Sequence, residues 1–330
     1  MSFEKTILEN DFKDILGQDN VKKQVKSALL SDRHMILVGQ PGIGKTTLAK
    51  NVAKIMPEKE LADCEFHCGE TPSCPACRKG KAGKKKYSGN ELFVRVQGSP
   101  DLSAEDLIGD IDPIKAIEYG PLSMEAFSPG KIFRANGGIL FFDEVNRCSE
   151  KLQNTLLQAL EEGKVTIGSH TVDLNVDFIF IGTMNPDDTS TEPLSDVFLD
   201  RFDLIYMGHP ETLELETEIV LLRGKKMLEF PSQLLRAVIT FIRDVREDDN
   251  VEKMPSVRAS IGVYERAQAN AKVNGRNIVT PQDVADVIVS VLAHRMSLKP
   301  SVKYLQSSEK YLQQKFDQFS EEIEGSGGDL

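Results

Sequence analysis

The sequence predicts an α/β fold, a parallel five-stranded sheet covered by helices, followed by a small all-helical domain. Three observations predict it. Short, near-continuous apolar runs alternate with amphipathic stretches through the first two thirds of the chain, as expected of strands buried on both faces. A glycine-rich turn joins the first of these runs to a helix. After Pro210 the strand signal stops and helical spacing takes over.

The predicted strands are Met35–Gly39 (MILVG), Phe93–Gln97 (FVRVQ), Ile139–Phe142 (ILFF), Phe178–Thr183 (FIFIGT) and Leu204–Met207 (LIYM). Helices are predicted over Gly44–Met56 and Ser149–Glu162, the second closed by Gly163 as a C-cap. Four more follow: Leu213–Glu229, Pro231–Glu247, Val257–Val273 and Pro281–Ser297. The last has Thr280 as N-cap and Pro281 at its first position. Its apolar face is Val284, Val287, Ile288, Val291 and Leu292. The tail from Ser301 holds one amphipathic helix, Lys303–Phe319, and a frayed Gly/Ser-rich end. The expected division is therefore 1–209, 210–300 and 301–330.

Among 330 residues, 40% hydrophobic and 28% charged content fits a globular chain with a buried core. No run is long and uncharged enough for a membrane span, and the polar stretch Met1–Lys13 is no secretory signal, which predicts a cytoplasmic location. With 40 basic against 51 acidic residues, the net charge of −11 argues against a broad nucleic-acid-coating surface.

The turn after the first strand reads Gly39, Gln40, Pro41, Gly42, Ile43, Gly44, Lys45, Thr46, with Thr47 following. This matches G-x-x-x-x-G-K-[ST] between a strand and a helix, the context that gives the match meaning. The glycines let backbone N–H groups turn inward around phosphate oxygens, and the helix N-terminus adds its positive dipole end. Lys45 can reach the β- and γ-phosphates, and the Thr46 hydroxyl can ligate Mg²⁺. The run Ile139–Phe142 delivers Asp143 and Glu144 at a strand's C-terminal end, where ligands bind in open α/β sheets. Asp143 is expected to hold Mg²⁺ through water, and Glu144 to orient the attacking water. ATP is the implied substrate.

With these motifs the chain resembles the AAA+ ATPases, and within them the MoxR and magnesium-chelatase ATPase-subunit group, over most of Phe12 to Leu298. The supporting stretches are Ile15-Leu-Gly-Gln-Asp, Phe127-Ser-Pro-Gly-Lys-Ile, Asp143-Glu-Val-Asn-Arg, Leu156 to Ile167 and Gly182-Thr-Met-Asn-Pro. The resemblance implies further roles. Asn185 matches sensor 1, Arg201 the arginine finger delivered to a neighbouring subunit, and Arg258 the sensor 2 of the lid. Ile15 and Gly17 match the segment beside the adenine. An insert in the second core helix is placed within 101–131, and a hairpin before sensor 1 within 165–174. An arginine acting in trans implies a ring, usually of six subunits. The group commonly works with a partner carrying a von Willebrand factor A domain, or with chelatase subunits. Bland alternatives are an ion pair from Arg201 to Asp200 or Asp203, a solvated Arg258, and a turn role for Asn185.

Four of the five cysteines, Cys64, Cys68, Cys74 and Cys77, fall in one loop, 64–86. That spacing can wrap a tetrahedral Zn²⁺, with His67 able to replace one thiol; an iron–sulfur cluster, a redox switch or a loop of free thiols also fits. Arg78, Lys79, Lys81, Lys84, Lys85 and Lys86 follow as a mobile basic loop. Cys148 reads as a packed small residue. The function these readings converge on is an ATP-hydrolysing motor that remodels a partner or drives its metal insertion. A nucleic-acid translocase is the alternative, and a non-hydrolysing nucleotide-gated scaffold the third class.

Overall fold

A computed structural model describes residues 3–70, 74–166, 173–186, 188 and 194–325. The chain forms two compact units, Met1–Gly39 with Gly44–Met207, and Gln40–Ile43 with Gly208–Leu330.

The first unit is built on five parallel strands: β1 (Met35–Val38), β2 (Phe93–Gln97), β3 (Ile139–Asp143), β4 (Ile179–Met184) and β5 (Asp203–Tyr206). Their order across the sheet is β5-β1-β4-β3-β2. All four residues of β1 and the first four of β3 are buried, which is what a parallel sheet covered on both faces requires. The register aligns Met35 with Asp203 and Ile181, Val38 with Met184, and Gly182 with Phe142. The strands therefore end together.

Helices α1 (Asp19–Leu30), α2 (Lys45–Ile55) and α3 (Glu150–Glu162) belong to this unit. Helix α2 buries Leu48, Ala49, Val52 and Ala53 at helical spacing. Gly163 closes α3 in the left-handed region, as its position predicts. The insert expected within 101–131 is an antiparallel pair, Gly109–Ile111 with Phe127–Pro129, enclosing the short helix Pro113–Tyr119. The hairpin expected within 165–174 pairs Lys164–Thr166 with Asp173–Asn175, and its tip, 167–172, lies outside the described residues.

Two expectations fail in this unit. The basic run is not a mobile loop: Lys84–Tyr87 is a strand paired antiparallel with Lys59–Ala62. The absence of alternation hides it, because three consecutive lysines are exposed and only Tyr87 is buried. The cysteine loop likewise carries structure, a one-turn helix at Pro75–Arg78. Pro72, a residue type that favours turns, falls in the same loop and lies outside the described residues.

The second unit contains α4 (Leu213–Arg223), α5 (Ser232–Glu247), α6 (Val257–Val273), α7 (Pro281–Leu292) and α8 (Ser308–Gly325). Helix α4 stops six residues short of the expected Glu229. At Gly224 the backbone turns extended, its N–H still donating to the Val220 carbonyl at 2.8 Å and no room left for a Cβ beside Tyr264, and Glu229 instead bridges Ile278. Helix α7 starts on the predicted N-cap Thr280, which forms a capping box with Asp283, but ends at Leu292 and tightens into a 3₁₀ turn, Ala293–Arg295. The unit is not purely helical, because Val251–Lys253 pairs with Ser297–Leu298. The tail forms two helices rather than one, Pro300–Lys303 and α8, and Leu312 and Phe316 of α8 join the core of α5, α6 and α7.

Candidate active site

Three adjacent strands deliver their C-terminal ends to one place in the first unit. Strand β1 runs into Gly39, β4 into Asn185 and β3 into Asp143 and Glu144. Gly39 N donates to the Met184 carbonyl at 3.0 Å, so the first residue of the glycine-rich loop is tied to the strand that carries Asn185.

The loop's geometry depends on its glycines. Gly44, at φ 101°, is the N-cap of α2 and lies in the left-handed region that favours glycine. A Cβ there would sit 3.5 Å from Cδ1 of buried Ile15, so Ile15 does border the loop. Gly17, two residues on, also has a left-handed φ of 63°. Lys45 and Thr46 open α2 half-buried, and Lys45 Nζ donates to the Gly39 carbonyl across the loop. Thr47 contributes its carbonyl to Asn51 Nδ2 at 2.9 Å. Within the second unit, Gln40 Oε1 lies 3.0 Å from His209 Nε2, and a Cβ on Gly42 would meet Cγ of Arg258 at 2.7 Å. Arg258 lies in the first turn of α6 and is exposed. Pro41 is exposed and Ile43 half-buried.

The two acids at the end of β3 are held differently. Asp143 Oδ1 accepts from Thr183 Oγ1 at 2.6 Å, and Oδ2 from Arg95 Nη2 at 2.5 Å. Glu144 turns into the left-handed region, φ 57°, a conformation an L-residue adopts only under constraint. Three contacts supply that constraint. Its N–H donates to Thr183 Oγ1 at 2.9 Å, Gln97 Nε2 donates to its Oε2 at 2.9 Å, and Arg147 Nη1 lies 3.3 Å from the same oxygen. Behind it, a Cβ on Gly98 would fall 2.0 Å from the Glu144 carbonyl oxygen, so only glycine lets β2 end this close. Arg147 also binds Asp188, at 2.8 and 3.0 Å.

Sequence reasoning missed Arg95, Gln97, Thr183 and Arg147. Gln97 had a usable signal, since it ends the predicted neighbouring strand. Arg95 and Thr183 become visible only through the strand register, which sets Arg95 beside Phe141, whereas Arg147 lies three residues past Glu144 in the motif itself.

Arg201 lies apart from this cluster. It follows the one-turn helix Asp196–Leu199, ion-pairs with Glu161 and lies 3.1 Å from Asp200 Oδ2. Of its two expected ion-pair partners, Asp203 instead binds Arg33 at 2.9 Å.

The four cysteines are brought together, with all their Sγ atoms within 4.8 Å of one another. His67 is not among them: its Nδ1 lies 2.9 Å from the Arg134 carbonyl and its ring packs on Tyr87. Cys148 is separate and buried, its thiol pushed up to about 11 by that burial. The basic run is partly neutralised: Lys79 pairs with Glu125, Lys84 with Glu60 and Lys85 with Glu91.

Family comparisons bear on this arrangement. Residues 11–90 match the magnesium chelatase subunit ChlI, 82–204 the ATPase family associated with various cellular activities (AAA), and 246–313 the AAA lid domain. In successive parts of its length the chain resembles the AAA+ ATPases of the MoxR and magnesium-chelatase group. A magnesium-chelatase subunit ChlI homolog of Methanocaldococcus jannaschii is 29% identical over 94% of this chain and 92% of its own. The chaperone MoxR1 of Mycobacterium tuberculosis is 28% identical over 86% and 73%. A solved complex of the magnesium chelatase subunits BchI and BchD has a TM-score of 0.51 at 21% identity, covering 89% of this chain and 98% of that one, a likeness of fold. The match of residues 82–204 to an ATPase family supports ATP hydrolysis by this chain. Among the described residues no helix is long and apolar enough to cross a membrane.

Proposed function

We propose that this chain is the AAA+ motor subunit of an assembly in which ATP hydrolysis remodels a partner protein or drives the partner's metal insertion. The observation that carries the reading is the convergence of Gly39, Asn185, Asp143 and Glu144 at the ends of three adjacent strands. The segment from Gly39 to Thr46 cradles the phosphates, with Ile15 and Gly17 on the adenine side. Thr46 and Asp143 offer the oxygen donors that Mg²⁺ takes, and together they fit that ion. When bound, Mg²⁺ neutralises charge on the phosphate oxygens.

The chain's own groups do the rest. Lys45 binds the terminal phosphates. Glu144, fixed by Gln97 and Arg147, accepts a hydrogen bond from the attacking water and orients it, and Asn185 aligns the same water. Arg201 stabilises transition-state charge in a neighbouring subunit, which makes the working form a ring, six-membered as is usual in the group. Arg258 reads the nucleotide state for the second unit. A partner with a von Willebrand factor A domain, or the other subunits of a chelatase, would receive the motion.

Glu144→Gln tests this. The variant should bind ATP normally while turnover falls by about 10²–10⁴-fold, the range for losing a positioned proton acceptor. Used as bait with ATP, it should retain the partner, and recovery of a tetrapyrrole-binding large subunit would select the chelatase role. Absence of turnover in the assembled wild type would overturn the reading.

A further inference from the structure

The sequence leaves four readings open for the cysteine loop, and the geometry separates them. Cys64, Cys68, Cys74 and Cys77 come from two turns that face each other. In the first, His67 N donates to the Cys64 carbonyl at 3.1 Å and Cys68 N to Cys64 Sγ at 3.4 Å, with His67 at φ 43°. In the second, Cys74 caps the Pro75–Arg78 helix, and Cys77 N points at Cys74 Sγ, also 3.4 Å away. Each turn thus aims a backbone N–H at a sulfur, where a metal-bound thiolate carries its charge.

All four sulfurs lie within 4.8 Å of one another, and Cys77 Sγ is 3.6 Å from Cys64 Sγ. Bonds of about 2.3 Å at tetrahedral angles set neighbouring sulfurs about 3.8 Å apart, so the set fits one ion. A multi-iron cluster holds its thiolates on separate iron atoms and spreads them wider. None of the four is bridged by a disulfide. Cys68 and Cys74 are buried and the other two half-buried, so four protein ligands close the site, the mark of a structural metal. A dication with four thiolates leaves roughly two negative charges. The run Arg78, Lys79, Lys81, Lys84, Lys85 and Lys86 lies on the same hairpin and brings the opposite sign, with Lys79, Lys84 and Lys85 already paired to glutamates.

The loop also touches the insert. Phe66, between the first two cysteines, packs on Phe127 at 6.1 Å and Phe133 at 5.2 Å between ring centroids. Lys79 Nζ binds Glu125 Oε1 at 2.6 Å. Asn136 Nδ2, buried ahead of β3, donates to the His67 carbonyl at 3.0 Å. We propose that Cys64, Cys68, Cys74 and Cys77 bind one structural Zn²⁺, and that this ion fixes Phe66 and Lys79 against the base of the 109–129 insert.

The full chain, purified under reducing conditions, should carry about one zinc per chain by elemental analysis, released when an organomercurial titrates the thiols. Cys148→Ser should keep the zinc, and Cys74→Ser should lose it. Because Cys74→Ser can also unfold the loop, Cys77→His serves as the second variant: imidazole is a zinc ligand, so it should keep the metal. Exchange with Co²⁺ should give the visible bands of a tetrahedral thiolate site. Zinc removal should bring the first proteolytic cuts into 64–87 and 109–129. The proposal is overturned by iron in the site, by two disulfides in the native protein, or by a metal-free chain with four reactive thiols. A cleavage pattern unchanged by zinc removal would overturn the link to the insert.

Discussion

Gln97 donates its side-chain amide to Glu144, with Nε2 2.9 Å from Oε2, and so ties the last residue of β2 to the acid just beyond β3. Arg147 approaches the same oxygen at 3.3 Å. The carboxylate is therefore aimed by two donors from outside its own strand. Gln97→Ala removes one and lets the acid rotate. Turnover should fall by up to about 10²-fold, the cost of a misplaced group of about 1 Å. Equilibrium nucleotide binding should not change. Wild-type turnover in this variant would mean that Gln97 does not aim Glu144.

Arg201 is partly exposed and ion-paired to Glu161 and Asp200, contacts worth less than about 1 kcal/mol at a surface. Arg201→Ala should leave the melting temperature nearly unchanged. If the arginine serves a neighbouring subunit, turnover should drop by about 10³-fold or more. Mixing inactive Arg201→Ala with inactive Glu144→Gln should then restore part of the activity, because some interfaces pair an intact acid with an intact arginine. No recovery on mixing would refute delivery in trans.

In the second unit, Glu216 is fully buried, with Arg246 Nη1 and Nη2 at 2.6 and 2.7 Å and Ser260 Oγ at 2.5 Å. Burial pushes the Glu216 carboxyl up, but Arg246, Ser260 and Arg243 outweigh it and hold the carboxyl below its ordinary value. Arg246→Met would strand a buried charge and should cost about 3–5 kcal/mol in chemical denaturation. Adding Glu216→Leu should recover much of that loss. A single variant as stable as wild type would show that the pair contributes little.

Asp248 anchors α8: it accepts from Lys315 Nζ, Tyr311 Oη and, at 2.9 Å, Asn250 N. Burial opposes ionisation, yet Lys315, Tyr311 and Asn250 hold the carboxyl down to about 2. A depressed folded value means the stabilisation is complete above the unfolded value near 3.9 and fades as pH falls toward about 2. Unfolding free energy should therefore fall more steeply across this window in wild type than in Asp248→Asn. Equal slopes would show that the carboxylate is not the anchor.

The strands of the sheet were legible because burial on both faces leaves continuous apolar runs such as Met35–Val38. The glycine loop and Asp143-Glu144 were legible because their chemistry tolerates few residue types. Helix α7 announced itself through Thr280 and Pro281. Where burial is one-sided the signal failed: Lys84–Tyr87 looks like a basic loop until its partner strand is seen. Gly224 gave no sign that it ends α4, because Tyr264, which crowds it, lies forty residues on. Two of the contacts that hold Glu144, from Gln97 and Thr183, depend on register between strands far apart in sequence, so no local pattern encodes them; only Arg147, three residues on, was within local reach.

The register of β1 with β5 has a further consequence. Met35 aligns with Asp203 where both strands begin, and Arg201 precedes that point, whereas Gly39 follows where β1 ends. A strand of this length spans about 13 Å, so Arg201 and the chain's own glycine loop sit at opposite ends of it. On the proposed reading, each copy donates at one end of β1 and receives at the other. Such a contact is head-to-tail and uses two different surfaces, never a twofold-symmetric one. A pair of chains would satisfy a single site and leave one donor and one acceptor idle. Only closure of the series, or its continuation as a filament, gives every acceptor a donor.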